Sequence, residues 1–257
     1  MIRCAVLGSP IEHSLSPKIH TRAYQLLGIS GQYSRFEVTQ GQLGEFLDKH
    51  PFDQWRGFSL TMPLKQEGVQ FATEISSDVV AAGVLNTLVA STNGWLGFNT
   101  DVIAVRNLLR DERFEKVAIL GAGGTVRAAL AALEGRRCKV QVYRRSAVQD
   151  DALSIINRDL EIFDWERVGQ AFAADLLINT VPASALVNAG HLSRQPRIIL
   201  DAIYEPWPPP LALFGGVARY ISGKELLVEQ GIEQIRLFTG ATFDNAILRQ
   251  DLISTIS

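Results

Sequence analysis

Two groups of residues in this chain have types and spacing that suit the handling of a phosphate-bearing cofactor. Val117-Ala118-Ile119-Leu120 is a short apolar run that ends at Gly121-Ala122-Gly123-Gly124, and Thr125-Val126-Arg127-Ala128-Ala129-Leu130 continues as an alanine-rich segment. The pattern predicts a strand, a glycine turn and a helix. Glycines 121 and 123 let the backbone turn sharply and approach a bulky anion. The helix start offers free N–H groups and the positive end of its dipole. That is the logic of a dinucleotide site, with Gly121, Ala122, Gly123 and Gly124 as cofactor-binding candidates. The third glycine of a G-x-G-x-x-G pattern falls on Val126, so helix and strand must pack closely by another route. About 20 residues beyond the turn, where an NAD site carries Asp or Glu, the strand-like run 139–143 leads into Arg144, Arg145 and Ser146. Two guanidiniums and a hydroxyl suit a 2′-phosphate. A solvated basic loop is the plainer reading of the same residues. With the glycine turn at the right distance, NADP(H) is favoured.

The N-terminal part carries isolated polar residues beside apolar runs. Ser16-Pro17 predicts a helix opening with Ser16 at the N-cap and Pro17 at the first helical position, so Ser16 has a structural explanation. Ser14 has none and is free for a polar ligand. Thr61 precedes Pro63, which reads as the start of another helix with Lys65 in its first turn. A cation there meets the unfavourable end of the dipole. It is either a solvated residue or one placed for a task. Asn86 lies inside the strand-like run 84–89; Asn is a poor strand residue and is either pinned structurally or aimed at a ligand. Asp101 reads as an N-cap for a helix over 102–109. Gln230 lies at the boundary of the helical face marked by Leu227, Ile235 and Phe238.

The elements that position these residues are legible in outline. Strands are expected at 4–7, 32–38, 56–60 and 84–89, with a hairpin turn at Asn93-Gly94 and helices opening at Ser16, Leu43 and Asp101. From Lys116 onward strands at 116–120, 139–143, 161–163, 175–180 and 197–202 alternate with helices at 124–134, 147–157 and 166–172. That alternation is an α/β doubly wound dinucleotide domain. The run 204–210, rich in proline, reads as a rigid loop. Helical segments follow from Gly223, broken at Gly240.

Composition narrows the function classes. The 257 residues suffice for one large domain or two ordinary ones, with 47% hydrophobic and 20% charged residues and a net charge of −2. That balance gives no reason to expect nucleic acid or an anionic membrane as partner. No apolar run approaches the ~20 residues a membrane span needs. Cys4 and Cys138 read as reduced thiols of a cytoplasmic protein. Two cysteines and four unclustered histidines build no metal site.

Ser14-Leu15-Ser16-Pro17, Thr61-Met62-Pro63-Leu64-Lys65, Asn86-Thr87, Asn99-Thr100-Asp101, Gly121–Gly124 and Leu227-Val228-Glu229-Gln230-Gly231 occur in the order seen in shikimate dehydrogenases. The chain resembles that family over nearly its whole length. The resemblance implies a reversible NADP-linked reduction of 3-dehydroshikimate to shikimate in aromatic amino-acid (chorismate) biosynthesis. It implies Lys65 as catalytic proton donor beside Asp101. Ser14, Ser16, Thr61, Lys65, Asn86, Asp101 and Gln230 would contact the small-molecule substrate. It implies a substrate-binding domain at 1–101 completed by 226–257, an inserted Rossmann-type NADP-binding domain at 102–225, and a cleft between them. The expected assembly is a monomer or homodimer. Departures from the family pattern are Ser59 for a common Asn, Arg144-Arg145-Ser146 for Asn-Arg-Thr, Phe238-Thr239-Gly240 for Trp-Thr-Gly, and Pro209-Pro210-Leu211-Ala212 for Thr-Pro-Leu-Leu. Competing readings are a quinate/shikimate dehydrogenase with broader substrate or NAD use, a methylenetetrahydrofolate dehydrogenase relative and a non-catalytic NADP-binding regulator.

Overall fold

Cys4-Ala5-Val6-Leu7 are all buried, the unbroken apolar run of a strand covered on both faces. They lie in β1 (Ile2–Gly8) of a computed structural model that describes residues 1–186 and 195–256. The chain divides into two units, Met1–Ala104 with Leu227–Ser257, and Val105–Leu226.

In the first unit β1 is followed by α1 (Ser16–Leu26), β2 (Gly31–Glu37), α2 (Leu43–Lys49) and β3 (Gly57–Leu60). Next come β4 (Ala72–Ile75), α3 (Ser77–Ala82), β5 (Thr87–Ser91), β6 (Gly94–Phe98) and the start of α4 (Thr100–Leu108). The sheet order is β2-β1-β3-β5-β6-β4. The pairings β1–β2, β1–β3 and β4–β6 are parallel, whereas β5 runs antiparallel to both β3 and β6. The register sets Leu7 beside Leu60, Ser59 beside Thr87, and Thr87 beside Phe98. One edge of this sheet therefore collects the C-terminal ends of β1, β3 and β6 and the N-terminal end of β5. The segments that join at that edge carry Ser14, Thr61, Lys65 and Asn86, and Asp101 follows in the first turn of α4.

In the second unit β7 (Lys116–Leu120), α5 (Gly124–Ala132), β8 (Lys139–Arg144), α6 (Asp150–Ile156) and β9 (Glu161–Asp164) alternate. They are followed by β10 (Leu176–Asn179), α7 (Ala183–Leu186), β11 (Ile198–Asp201) and β12 (Arg219–Ile221). The order is β12-β11-β10-β7-β8-β9, all parallel. This is the doubly wound arrangement expected from the sequence, and its order reverses between β7 and β10. The helix expected at 166–172 is a 3-10 helix over Trp165–Ala173. The one expected at 147–157 opens with a 3-10 turn at Ala147–Gln149 before α6. The strands β4 and β12, whose residues are exposed or half-buried apart from Ile221, carry no apolar run to announce them.

The chain ends in α8 (Gly223–Thr239) and α9 (Asn245–Ile256). Val228, Ile232 and Ile235 of α8 pack with Ile19 and Ala23 of α1 and with Leu248 and Leu252 of α9. The end of α8 is held by Arg56, whose Nε donates to the Phe238 carbonyl at 2.7 Å, a cation at the negative end of the helix. Beside it Gly57 lets β3 lie against the Phe238 ring. No described helix is long and apolar enough to cross a membrane.

A Cβ on Gly57 would meet Phe238 Cε1 at 2.4 Å and the Leu88 carbonyl oxygen at 2.5 Å. Gly57→Ala is therefore expected to destabilise the protein by about 1–3 kcal/mol, the usual cost of overpacking. Urea unfolding monitored by tryptophan fluorescence would measure it, and an unchanged midpoint would mean that α8 does not press on β3.

Candidate active site

Lys65 is positioned by backbone bonds. Thr61 N–H donates to the Leu7 carbonyl (2.9 Å), Ser9 N–H to the Met62 carbonyl (2.9 Å) and Leu64 N–H to the Thr61 carbonyl (2.8 Å). Leu64 is fully buried and anchors the turn in the core. Gly8 permits the approach, since a Cβ there would lie 2.3 Å from Thr61 Cγ2. Residues 61–66 thus form turns rather than the start of the expected α-helix, and a 3-10 helix follows at Glu67–Phe71. Lys65 accordingly escapes the unfavourable helix end that the sequence suggested. Its Nζ donates to Asp101 Oδ2 at 2.6 Å, with side chains only 18% and 11% exposed. Two ammonium protons remain for a further acceptor.

Asp101 is not the N-cap of α4. Asn99 takes that work: its Oδ1 accepts from Val102 N–H (3.2 Å) and its Nδ2 donates to the Val84 carbonyl (2.8 Å). The Asp101 carboxylate is left to face Lys65. Asn86 precedes β5 instead of lying within it and is 2% exposed. Its side-chain oxygen accepts from Thr100 N–H and from the Thr87 hydroxyl, each at 2.8 Å. Its Nδ2 donates to Thr100 Oγ1 at 2.9 Å and to Gln230 Oε1 at 3.4 Å. Leu85 N–H, one residue earlier, donates to the Lys65 carbonyl at 2.9 Å. Lys65, Asn86, Asp101 and Gln230 are thus drawn into one group through Thr100 and the backbone beside them.

Ser14, Ser16 and Thr61 lie outside that bonded group among the described residues. Ser16 is the first helical residue of α1, not its N-cap, and makes no capping bond. Ser14, which the sequence left without a structural task, accepts from Ser16 N–H at 3.4 Å.

A second polar layer lies beneath Asn86. Gln234 Nε2 donates to Thr87 Oγ1 (2.9 Å) and its Oε1 accepts from Ser59 Oγ (2.7 Å), which in turn accepts from Tyr33 OH (2.6 Å). His20 is fully buried, stacks on Tyr33 with 3.9 Å between ring centroids, and places Nε2 3.3 Å from Gln234 Oε1. Since that oxygen only accepts, Nε2 carries the proton. Sequence reasoning missed Thr100, Gln234 and Tyr33. The available signal was Gln234 one helical turn after Gln230, on the same face.

In the second unit Gly121 has φ +118°, and a Cβ there would lie 2.3 Å from Thr180 Oγ1. Val126, at the third-glycine position, is fully buried and lies 3.4 Å from the same point, so packing there tolerates a valine. Gly123 is the N-cap of α5 with open space above it, and no side chain caps the helix. A bare helix start, a glycine that admits no side chain and an open face fit the pyrophosphate of a dinucleotide. The three residues expected at the 2′-phosphate behave differently from one another. Arg145 is exposed and has no hydrogen-bond or ion-pair partner among the described residues. Ser146 accepts from Val148 N–H at 3.5 Å. Arg144 is engaged by carboxylates: Nε and Nη2 donate to Asp150 Oδ1 and Oδ2 at 2.8 and 2.6 Å, and Nη1 donates to Asp164. These partners hold the Arg144 guanidinium above its usual range and the Asp150 carboxyl below its own.

Known proteins share this architecture. The family model of the shikimate dehydrogenase substrate binding domain matches residues 6–88. The shikimate dehydrogenase (NADP(+)) of Pyrobaculum aerophilum is 31% identical over 97% of this chain and 97% of its own length. The crystal structure of Mycobacterium tuberculosis shikimate dehydrogenase, 31% identical, superposes with a TM-score of 0.88 over 99% of both chains. That of the Thermus thermophilus enzyme, in complex with NADP(H) and shikimate, is 28% identical with a TM-score of 0.81 over 99% of this chain and 100% of that one.

Burial pushes the His20 imidazole down from 6.5 to about 3. Between those values the unfolded chain binds a proton that the folded chain refuses, so stability rises with pH. The protein is expected to lose stability as pH falls from about 6.5 toward 3, and His20→Phe should flatten that slope. Urea unfolding at pH 7, 6 and 5 would compare the two; parallel slopes would mean that His20 is not the titrating group.

Proposed function

Because the chain belongs to the shikimate dehydrogenase family, we propose that it catalyses the reversible NADPH-dependent reduction of 3-dehydroshikimate to shikimate, with Lys65 as the proton donor. The 2.6 Å contact of Lys65 Nζ with Asp101 Oδ2, beside the buried amides of Asn86 and Gln230, carries the reading. Bound NADPH supplies the hydride. Hydride addition to a carbonyl leaves negative charge on its oxygen, which must be stabilised and protonated. The Lys65 ammonium has protons left for that oxygen and gives one up as the alcohol forms. Asp101 holds the ammonium in place. In the oxidative direction a neutral Lys65 takes the hydroxyl proton.

The remaining polar residues suit a small polyol. Ser14 and Thr61 offer hydroxyls from loops at one sheet edge, Ser16 offers one from the first turn of α1, and Asn86 and Gln230 offer amides. None adds charge. An analogue lacking one hydroxyl leaves a buried polar group unpaired, which is how such a site discriminates. In this reading substrate is held by residues 1–101 with 226–257. The cofactor is held by 102–225, its pyrophosphate at Gly121–Gly124 and its 2′-phosphate at Arg145 and Ser146. The two free cysteines accord with a cytoplasmic enzyme. The reaction belongs to aromatic amino-acid biosynthesis.

Initial rates with shikimate and quinate, each with NADP and NAD, test the reading. Fast turnover of shikimate with NADP supports it; equal use of quinate or NAD replaces it with a broader dehydrogenase. Lys65→Ala is expected to lower kcat by roughly two to four orders of magnitude, the span of a general acid–base group. A near-normal kcat would remove Lys65 from the chemistry. Gln230→Ala should weaken shikimate binding about tenfold, the worth of one hydrogen bond to a buried partner. Calorimetric titration measures this, and unchanged affinity would return Gln230 to a purely structural part.

A further inference from the structure

The two arginines of the 144–146 segment, equivalent in the sequence, are not equivalent in the structure. Arg145 is exposed and unpartnered among the described residues, whereas the Arg144 side chain is only 12% exposed and its fork is taken up by Asp150 and Asp164. Strand pairing fixes the second contact, because Arg144 at the end of β8 lies in register with Asp164 at the end of β9. Helix α6 begins at Asp150 and so brings the first carboxylate to the same guanidinium. The stretch is braced from α5 as well, where Arg127 Nη2 donates to Gln149 Oε1 at 2.6 Å.

This arrangement bears on cofactor choice. A carboxylate at the end of the second strand of a dinucleotide fold accepts the ribose hydroxyls of NAD and repels a 2′-phosphate. The chain has no acid at position 144, yet it brings two acids to that point. Asp164 is 74% exposed, so without Arg144 its charge would stand open beside an approaching phosphate. For Arg144 to grip the phosphate it would have to release both carboxylates next to a dianion, an unfavourable exchange of like charges.

We infer that Arg144 determines cofactor specificity without touching the cofactor: it neutralises Asp150 and Asp164, and so leaves Arg145 and Ser146 to bind the 2′-phosphate. Arg144 is then a positioning and screening residue. The inference rests on the NADP(H) reading given under the proposed function.

The test measures kcat and KM with NADPH and with NADH for four proteins: wild type, Arg144→Ala, Asp150→Asn with Asp164→Asn, and the triple variant. Arg144→Ala is expected to lower the preference for NADPH about ten- to a hundredfold, the span of one partly screened charge coupling, through the KM for NADPH. The triple variant is expected to regain most of that preference, since no acid is left to neutralise. The two Asp→Asn changes alone should keep the preference at least at the wild-type level, an outcome readable even where Arg144→Ala fails to fold. Failure of the triple variant to recover would make Arg144 a direct phosphate ligand and overturn the inference. An equal loss with both cofactors would make Arg144 a folding brace and overturn it too, as would a lowered preference in the double Asp→Asn variant. A wild-type protein that uses NADH as well as NADPH would overturn the cofactor reading itself, a result separate from all of these.

Discussion

Burying the Asn86 carboxamide is the constraint that the candidate active site depends on. A primary amide at 2% exposure costs about 1–3 kcal/mol for each hydrogen bond it leaves unmade, so its partners must all arrive together. They come from different segments: Thr87 from β5, Thr100 from the start of α4 and Gln230 from α8. Meeting the needs of one amide thereby fixes where α4 begins, and with it where Asp101 points. Lys65 is then held between the Asp101 carboxylate and a backbone bond from Leu85, next to Asn86 itself. The catalytic pair is placed by the satisfaction of a neighbouring neutral group.

The layer beneath extends the same principle. Ser59 is buried; its hydroxyl accepts from Tyr33 OH at 2.6 Å and donates to Gln234 Oε1 at 2.7 Å. The chain Tyr33, Ser59, Gln234, Thr87 and Asn86 is continuous, and every member is buried. Networks of this kind are stable only when complete, which is why they specify one geometry. His20 joins at the cost of staying neutral when folded.

The second unit solves a different problem with backbone in place of side chains. The clash that any Cβ at Gly121 would have with Thr180 keeps the turn free of a side chain, and α5 starts without a cap, so its N–H groups stay free for an anion. Charge is concentrated differently at the end of β8, where carboxylates and guanidiniums meet. There the sheet register delivers Asp164 to Arg144 and leaves Arg145 open. Two adjacent residues of the same type thus take separate work because one follows the pleat into a pair of acids and the other does not.

The sequence by itself determined the alternation of strands and helices after Lys116, the glycine turn and the polar residues worth watching. These are set by short-range rules: apolar runs, glycine conformations and motif order. It also led, through six motifs in register, to the family. What it left undecided, or decided wrongly, depended on partners distant in the chain. Ser16 and Asp101 both read as N-caps, because a cap is the local use for their side chains. Only the fold shows Asn99 capping α4 and Asp101 turned to Lys65. Lys65 read as a first-turn helical residue, since Pro63 is a good helix opener, but backbone bonds to β1 hold residues 61–64 in a turn. Arg144 and Arg145 read alike because the sequence does not say which guanidinium reaches Asp150 and Asp164, six and 20 residues from Arg144. Local sequence determines which elements form. The choice among a polar side chain's possible partners belongs to the tertiary structure, which alone sets the distances that decide between them.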